Sequence, residues 1–337
     1  MARLITIAGG GLAGLSVGLG LNARSVPVEL HEAGAYPRHR VCGEFISGVS
    51  EKVLSQLGVL PCLSDALRLE TMTWHRSQGQ ILKARLPRPA LALSRHTLDL
   101  RMKTALAEAG VKVSENSRLP EVHREGFLWC GGRPASKGGA VGLKAHYEGL
   151  VLDADLEMHM GQGAYLGLCR VEGGRVNACG LFPAGSLKNS RKDDLLAEAV
   201  SAAKLTQLAA RLKSAAQVPG SLVGVSAFRP GWQGRAPAAS VGDARAIIPP
   251  FAGNGMSMAF EGALMAVEEM VDFSTGKTPW EAALERLNSR TRRHFRTRLQ
   301  IAMVIHPFLT HPSGQFLLSA CIRSKMVPLN TVFSLLR

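Results

Sequence analysis

The run Leu4-Ile5-Thr6-Ile7-Ala8-Gly9-Gly10-Gly11-Leu12-Ala13-Gly14 decides how the rest of the chain is read. Leu4 to Ala8 is a short apolar, partly β-branched run of the kind a buried parallel strand needs. It enters Gly9, Gly11 and Gly14 at G-x-G-x-x-G spacing, and Leu15 to Leu21 continues with a helical pattern. In such a turn Gly9 permits the tight bend, Gly11 lets the backbone approach a pyrophosphate, and Gly14 lets helix and strand pack closely. The helix N-terminus, with Leu12 and Ala13 in its first turn, then faces the phosphates. A second apolar strand, Val26 to His31, ends at Glu32-Ala33, with the acid eighteen residues past Gly14. An acid near that distance binds the adenosine ribose. Strand, glycines, helix, strand and acid in this order predict a Rossmann-like α/β unit that binds a dinucleotide. The same order explains the uncharged stretch Leu4 to Ala23, which otherwise mimics a signal peptide or membrane span.

A second signal lies far away. Ala238 to Val241 reads as a strand leading into Gly242-Asp243, and Gly253-Asn254-Gly255-Met256 forms a glycine turn before a helix from Ser257 to Val271. A strand-end Asp binds a ribityl hydroxyl. A glycine turn at a helix N-terminus sets amides and a positive dipole end against a flavin's pyrimidine edge. FAD spans both sites, whereas NAD needs no such distant partner.

With these residues the chain resembles the large family of FAD-dependent oxidoreductases containing p-hydroxybenzoate-hydroxylase-type monooxygenases, geranylgeranyl reductases and flavin halogenases. The resemblance rests on the two glycine signals, Glu32, the loop Arg38-His39-Arg40-Val41-Cys42-Gly43-Glu44 and Ser94-Arg95. It covers roughly residues 1–60, 90–110 and 236–272, and implies Arg40 and Arg95 as pyrophosphate clamps, with Cys42 and Gly43 beside the cofactor. Leu156-Glu157-Met158-His159, Gly163 to Leu168 and Val171 to Gly174 look like a bacterial subgroup encoded beside type III polyketide synthases. That likeness implies tailoring of alkylresorcinol-like polyketides, most simply by monooxygenation. Reduction of isoprenoid double bonds is the alternative, and a non-catalytic, membrane-associated flavin protein a third. The stretch Phe127 to Arg133 lacks the Asp-Gly that contacts the pyridine nucleotide in aromatic hydroxylases, so slow or no direct reduction by NAD(P)H is expected, and a reductase partner, free reduced flavin or substrate-triggered binding is required. The W-x-W-x-I-P signature of tryptophan halogenases is absent, although Lys83 falls in the substrate region.

The expected fold class is α/β, with the FAD-binding unit interleaved with an antiparallel substrate domain. Residues 1–66, 91–139 and 236–275 are assigned to the first, and 67–90 and 140–235 to the second. Residues 276–337 form a basic helical C-terminal segment. Leu69 to Leu86 reads as a hairpin turning at Ser77-Gln78-Gly79, Glu172 to Arg175 as another turn, and Arg191 to Ala216 as helix-rich. Thr278-Pro279-Trp280-Glu281 has capping-box spacing with Pro at the first helical position, and His306-Pro307 should end or kink that helix.

Within the insert, Glu157 and His159 alternate onto one face of a strand, with Leu156, Met158 and Met160 on the other. On a face lining the flavin cavity, His159 would deprotonate a phenol, Glu157 would tune the imidazole, and Tyr165 would position a substrate polar group. The six cysteines, at 42, 62, 130, 169, 179 and 321, show no metal-ligand spacing, so no metal is expected and reduced thiols in a cytoplasmic protein are. Composition excludes a disordered chain, a disulfide miniprotein and a collagen-like repeat. Of the net charge of +14, +9 falls after Glu285, where there is no acidic residue. That tail, with Arg286, Arg290 and Arg293 on one helical face, suits peripheral contact with an anionic inner-membrane surface. A nucleic-acid partner is disfavoured by the lack of any binding module.

Overall fold

The computed structural model describes residues 2–77, 79–134, 139–187, 194–233 and 239–324. Gln78 of the hairpin turn, Arg191, Ala238 and the tail from Lys325 lie outside them. Ile5–Ala8, Val28–His31, Lys112–Ser114 and Phe127–Trp129 form one parallel sheet, in the order Lys112–Ser114, Val28–His31, Ile5–Ala8, Phe127–Trp129. Ile5, Ile7, Leu30 and Leu128 are fully buried, as strands covered on both faces require. The helix Leu12–Asn22 has no polar face because it lies inside this core, packed on the helices Arg95–Glu108 and Gly255–Ser274.

The second sheet is nine-stranded. Its path runs Ala216–Gln217, Ala140–Glu148, Arg175–Pro183, Ala164–Val171, Leu156–Gly161, Leu67–Arg76, Gly79–Ala92 and Phe45–Ile46, with Val223–Phe228 also on Ala140–Glu148. All pairs are antiparallel except Leu67–Arg76 with Leu156–Gly161. Both faces are covered, and alternation sorts the side chains between them. Leu143, Ala145, Leu166, Ala178 and Phe182 meet the helices Leu195–Ala202 and Thr206–Ser214. Met160, Tyr165 and Leu181 point the other way, toward Leu309 of the helix Trp280–Thr310 and Ile322 of the helix Pro312–Arg323.

One local expectation is corrected, and one of the two alternatives at Pro307, an end or a kink, is removed. No capping box forms: the long helix begins at Trp280 after an extended Pro279, and the Thr278 hydroxyl instead accepts from Arg286 at 2.5 Å. Nor does the helix stop before Pro307, continuing to Thr310. The carbonyl that Pro307 leaves without a donor belongs to Met303, on the solvent-facing side where water can satisfy it.

Candidate active site

Sterics set the first loop. Gly9 has φ +113°, and a Cβ there would collide with the Cys130 carbonyl; a Cβ on Gly14 would collide with the Gly9 carbonyl. A Cβ on Gly11 would meet no protein atom within 4 Å, because Gly11 faces a cavity of about 580 Å³. Leu12 and Ala13 join it there at the start of the buried helix.

Glu32 is placed differently from expectation. It is buried and accepts from the Gly10 amide at 2.7 Å, the Gly34 amide at 3.0 Å and Arg38 at 2.6 Å. The carboxylate thereby fastens the glycine loop and is not among the residues lining the cavity; Ala33 beside it is exposed. Gly9 and Gly14 likewise act through packing.

Arg40 and Arg95 both line the cavity and share one carboxylate. Arg95 grips fully buried Asp99 with two hydrogen bonds, at 2.7 and 2.8 Å, and Arg40 Nε reaches it at 2.9 Å. Arg40 also lies 3.5 Å from Glu32, so two carboxylates, Asp99 and Glu32, orient three guanidinium groups, Arg38, Arg40 and Arg95, and leave one positive charge over for an anion. Asp99 was legible only as an i, i+4 partner of Arg95. Cys42 and Gly43 continue the wall, and burial pushes the Cys42 thiol up, which keeps it unreactive.

Gly242, Asp243, Gly253, Gly255 and Met256 also line the cavity, with Gly242 packed against Ala13. Gly253, at φ +66°, turns the chain into the helix Gly255–Ser274, whose N-terminus opens on the cavity. Asp243 is exposed to the cavity with protein packed behind it, and that burial raises its carboxyl. Asn254 is buried beneath the turn, near Ser47, and does not line the cavity. Phe45, Val223, Val225, Phe228, Ile247 and Ile248 add an apolar stretch of wall, beside the polar Arg38, His39 and Arg133.

The Glu157–His159 pair forms, but elsewhere. His159 Nε2 lies 2.7 Å from Glu157, whose carboxylate also accepts from Arg211 at 3.1 Å and from the Asp153 amide at 2.6 Å. His159 stacks on His75 with centroids 4.5 Å apart, beside a separate cavity of about 300 Å³. Register explains the displacement: His159 is opposite Leu166 and Glu157 opposite Leu168, both on the face covered by Thr206–Ser214. Tyr165 is on the other face, but its ring is packed edge-on against Phe251 and His306 and does not line the cavity.

Sequence reasoning also missed Lys144 and His146, and took His39 and Glu44 only as part of the loop that carries the resemblance. Lys144 and His146 alternate onto the cavity side of Ala140–Glu148, where they meet Glu44 and His39. Glu44 and Lys144 are both fully buried. Among the described residues two Glu–His groups have metal-like spacing, His39/Glu44/His146 and His75/Glu157/His159. In each a cationic side chain, Lys144 or Arg211, already occupies the carboxylate.

No protein-family model and no curated protein matches the sequence. Solved structures do. A Klebsiella pneumoniae HpxO structure complexed with FAD and uric acid aligns at TM-score 0.76 and 16% identity, over 99% of this chain and 97% of that one. The flavin-dependent brominase Bmp2 aligns at 0.72 and 16%, over 99% and 93%. P. aeruginosa PqsL in complex with 2-aminobenzoylacetate aligns at 0.70 and 12%, over 98% and 99%. The chain therefore shares the fold of these structures, among them a flavin-dependent brominase and a protein complexed with FAD.

Proposed function

We propose that the protein is an FAD-dependent oxidoreductase, a monooxygenase of hydrophobic aromatic or polyketide-like substrates of the alkylresorcinol type. The observation that carries this is the single cavity that joins an open glycine cradle, a two-arginine anion clamp, Asp243 and a second helix N-terminus to an apolar wall. The residues fit FAD. Gly11 to Ala13 and the Arg40–Arg95 pair would hold its pyrophosphate, Asp243 a ribityl hydroxyl, and Gly253 to Met256 the pyrimidine edge. When bound, the flavin supplies the redox chemistry. The chain's own part is to orient the substrate against Phe45, Val225 and Phe228 and to exclude water there. Gly131 to Arg133 line the cavity without an aspartate, in keeping with electrons arriving by way of a reductase or only after substrate binds.

Purified protein should take up FAD with visible flavin absorbance, and Gly11→Val, which fills the open cradle, should abolish uptake while the fold survives. The loaded enzyme should consume dioxygen with an alkylresorcinol and yield a hydroxylated product. Uptake of NAD alone, or reduction of an isoprenoid without oxygen consumption, would sink this reading.

We also propose that the C-terminal helices touch an anionic membrane surface. Met303, Val304, Phe308, Phe316 and Leu317 are exposed apolar side chains within fifteen residues, next to exposed Arg292, Arg293 and Arg296. No described helix is long and apolar enough to cross a membrane, so the contact would be peripheral.

A further inference from the structure

The buried charges behind the cavity wall, Lys144 and Glu44, are not among its lining residues. Lys144 and Glu44 are both 0% exposed, and Nζ lies 3.2 Å from the Glu44 carboxylate. Such a pair is costly to bury and calls for a reason. Glu44 also holds a left-handed backbone, φ +60°, which a glutamate adopts only where its surroundings impose it. Those surroundings are His146 Nε2 at 2.5 Å and the Arg95 amide at 3.1 Å, both donating to the same carboxylate. The carboxylate thus has three donors and opposes the charge of Lys144, whose pKa burial lowers and Glu44 supports.

Lys144 reaches further, to His39 Nδ1 at 2.9 Å, and His39 lines the cavity. An ammonium is a donor only, so His39 accepts at Nδ1 and carries its proton on Nε2. The ring is kept neutral, with its pKa lowered to about 3, by burial first and then by Lys144, His146, His96 and Arg175. His96 stacks on it at 4.6 Å and His146 meets it edge-on at 5.0 Å, so the ring cannot turn freely. Nε2–H has no protein acceptor among the described residues. A fixed donor backed by a cation at a cavity wall is built to receive negative charge on oxygen.

We propose that His39, backed by Lys144, is the seat for an acidic hydroxyl of the substrate, a phenol or enol, and takes it as the anion. The oxygen accepts from Nε2–H, Lys144 behind the ring polarises that donor, and the hydroxyl proton passes to water. The assignment rests on the aromatic-substrate reading above and moves its polar anchor from His159 to His39.

The test uses 4-nitrophenol, whose anion absorbs in the visible, titrated into FAD-loaded protein across a pH series and read as difference spectra. Flavin uptake is recorded first on every sample. Bound nitrophenol should half-ionise about one pH unit below the free compound, because a hydrogen bond donated to the charged form favours it. His39→Leu leaves the Glu44–Lys144 pair intact and should abolish that displacement, as should Lys144→Met. Glu44→Gln removes the opposing charge and should move the midpoint still lower. Normal flavin uptake with nitrophenol bound neutral, bound equally well by His39→Leu, or not bound at all would overturn the assignment. Failure to take up flavin would count instead against the cofactor reading.

Discussion

Glu157 shows how much one carboxylate's surroundings decide. Burial by itself would raise its pKa, but hydrogen bonds from His159, Arg211 and the Asp153 amide outweigh that and hold it at about 2. A depressed carboxyl contributes stability above its ordinary value of 4.5, and that stability is lost as pH falls toward 2. Glu157→Gln should therefore cost up to about 3 kcal/mol at neutral pH and flatten the acid limb of the stability curve. Denaturant titrations at pH 7, 4 and 3 would measure both. Parallel acid sensitivity in wild type and variant would contradict the argument. His159→Ala should weaken the fold while leaving turnover of the flavin-loaded enzyme intact, since the pair lies across the sheet from the cavity.

Among the elements, the glycine turn was the most legible and the large sheet the least. Gly9, Gly11 and Gly14 declare themselves because the constraint on each is local: a bend, an approach, a contact with the next strand. Gly14→Ala should lower thermal stability sharply, because its methyl would meet the Gly9 backbone, which has nowhere to go. Gly11→Ala should melt near wild type. Thermal denaturation of the two variants without added flavin separates these roles, and equal losses would refute the division. The strand Leu156–Gly161 illustrates the opposite case. Its period of two correctly placed Glu157 and His159 on one face, but both faces of this sheet are covered by helices. Alternation cannot say which covered face adjoins the cavity; only the register with Ala164–Val171 does. Lys144 and His146 were hidden for the same reason, in a strand whose residues from Gly142 to Tyr147 are all buried.

Over the whole molecule, the basic tail divides into two sets of charges. Arg286 and Arg290 are tied to Glu268 and Glu269, and Arg298 to Glu261, so part of the expected basic face fastens the long helix to Gly255–Ser274. Those acids lie well before the tail in sequence, which is why a count of tail charges overstated the free positive surface. Arg292, Arg293 and Arg296 remain exposed, followed along the chain by the apolar residues at 303, 304 and 308. Full-length protein should sediment with phosphatidylglycerol-containing vesicles and not with pure phosphatidylcholine. Phe316→Asp with Leu317→Asp should reduce that binding tenfold or more while flavin uptake is unchanged. Equal binding to neutral vesicles, or none to either, would refute the membrane contact.

The cavity lining draws on chain segments from Gly11 to Ala259. A molecule seated there ties together parts of the chain that meet only in the finished fold, so it acts as a removable crosslink. Its binding free energy adds directly to the folding equilibrium, about 2.7 kcal/mol when free ligand stands at a hundred times its dissociation constant. Cofactor supply would then set how often the chain opens to a protease, and so how long each copy lasts in the cell.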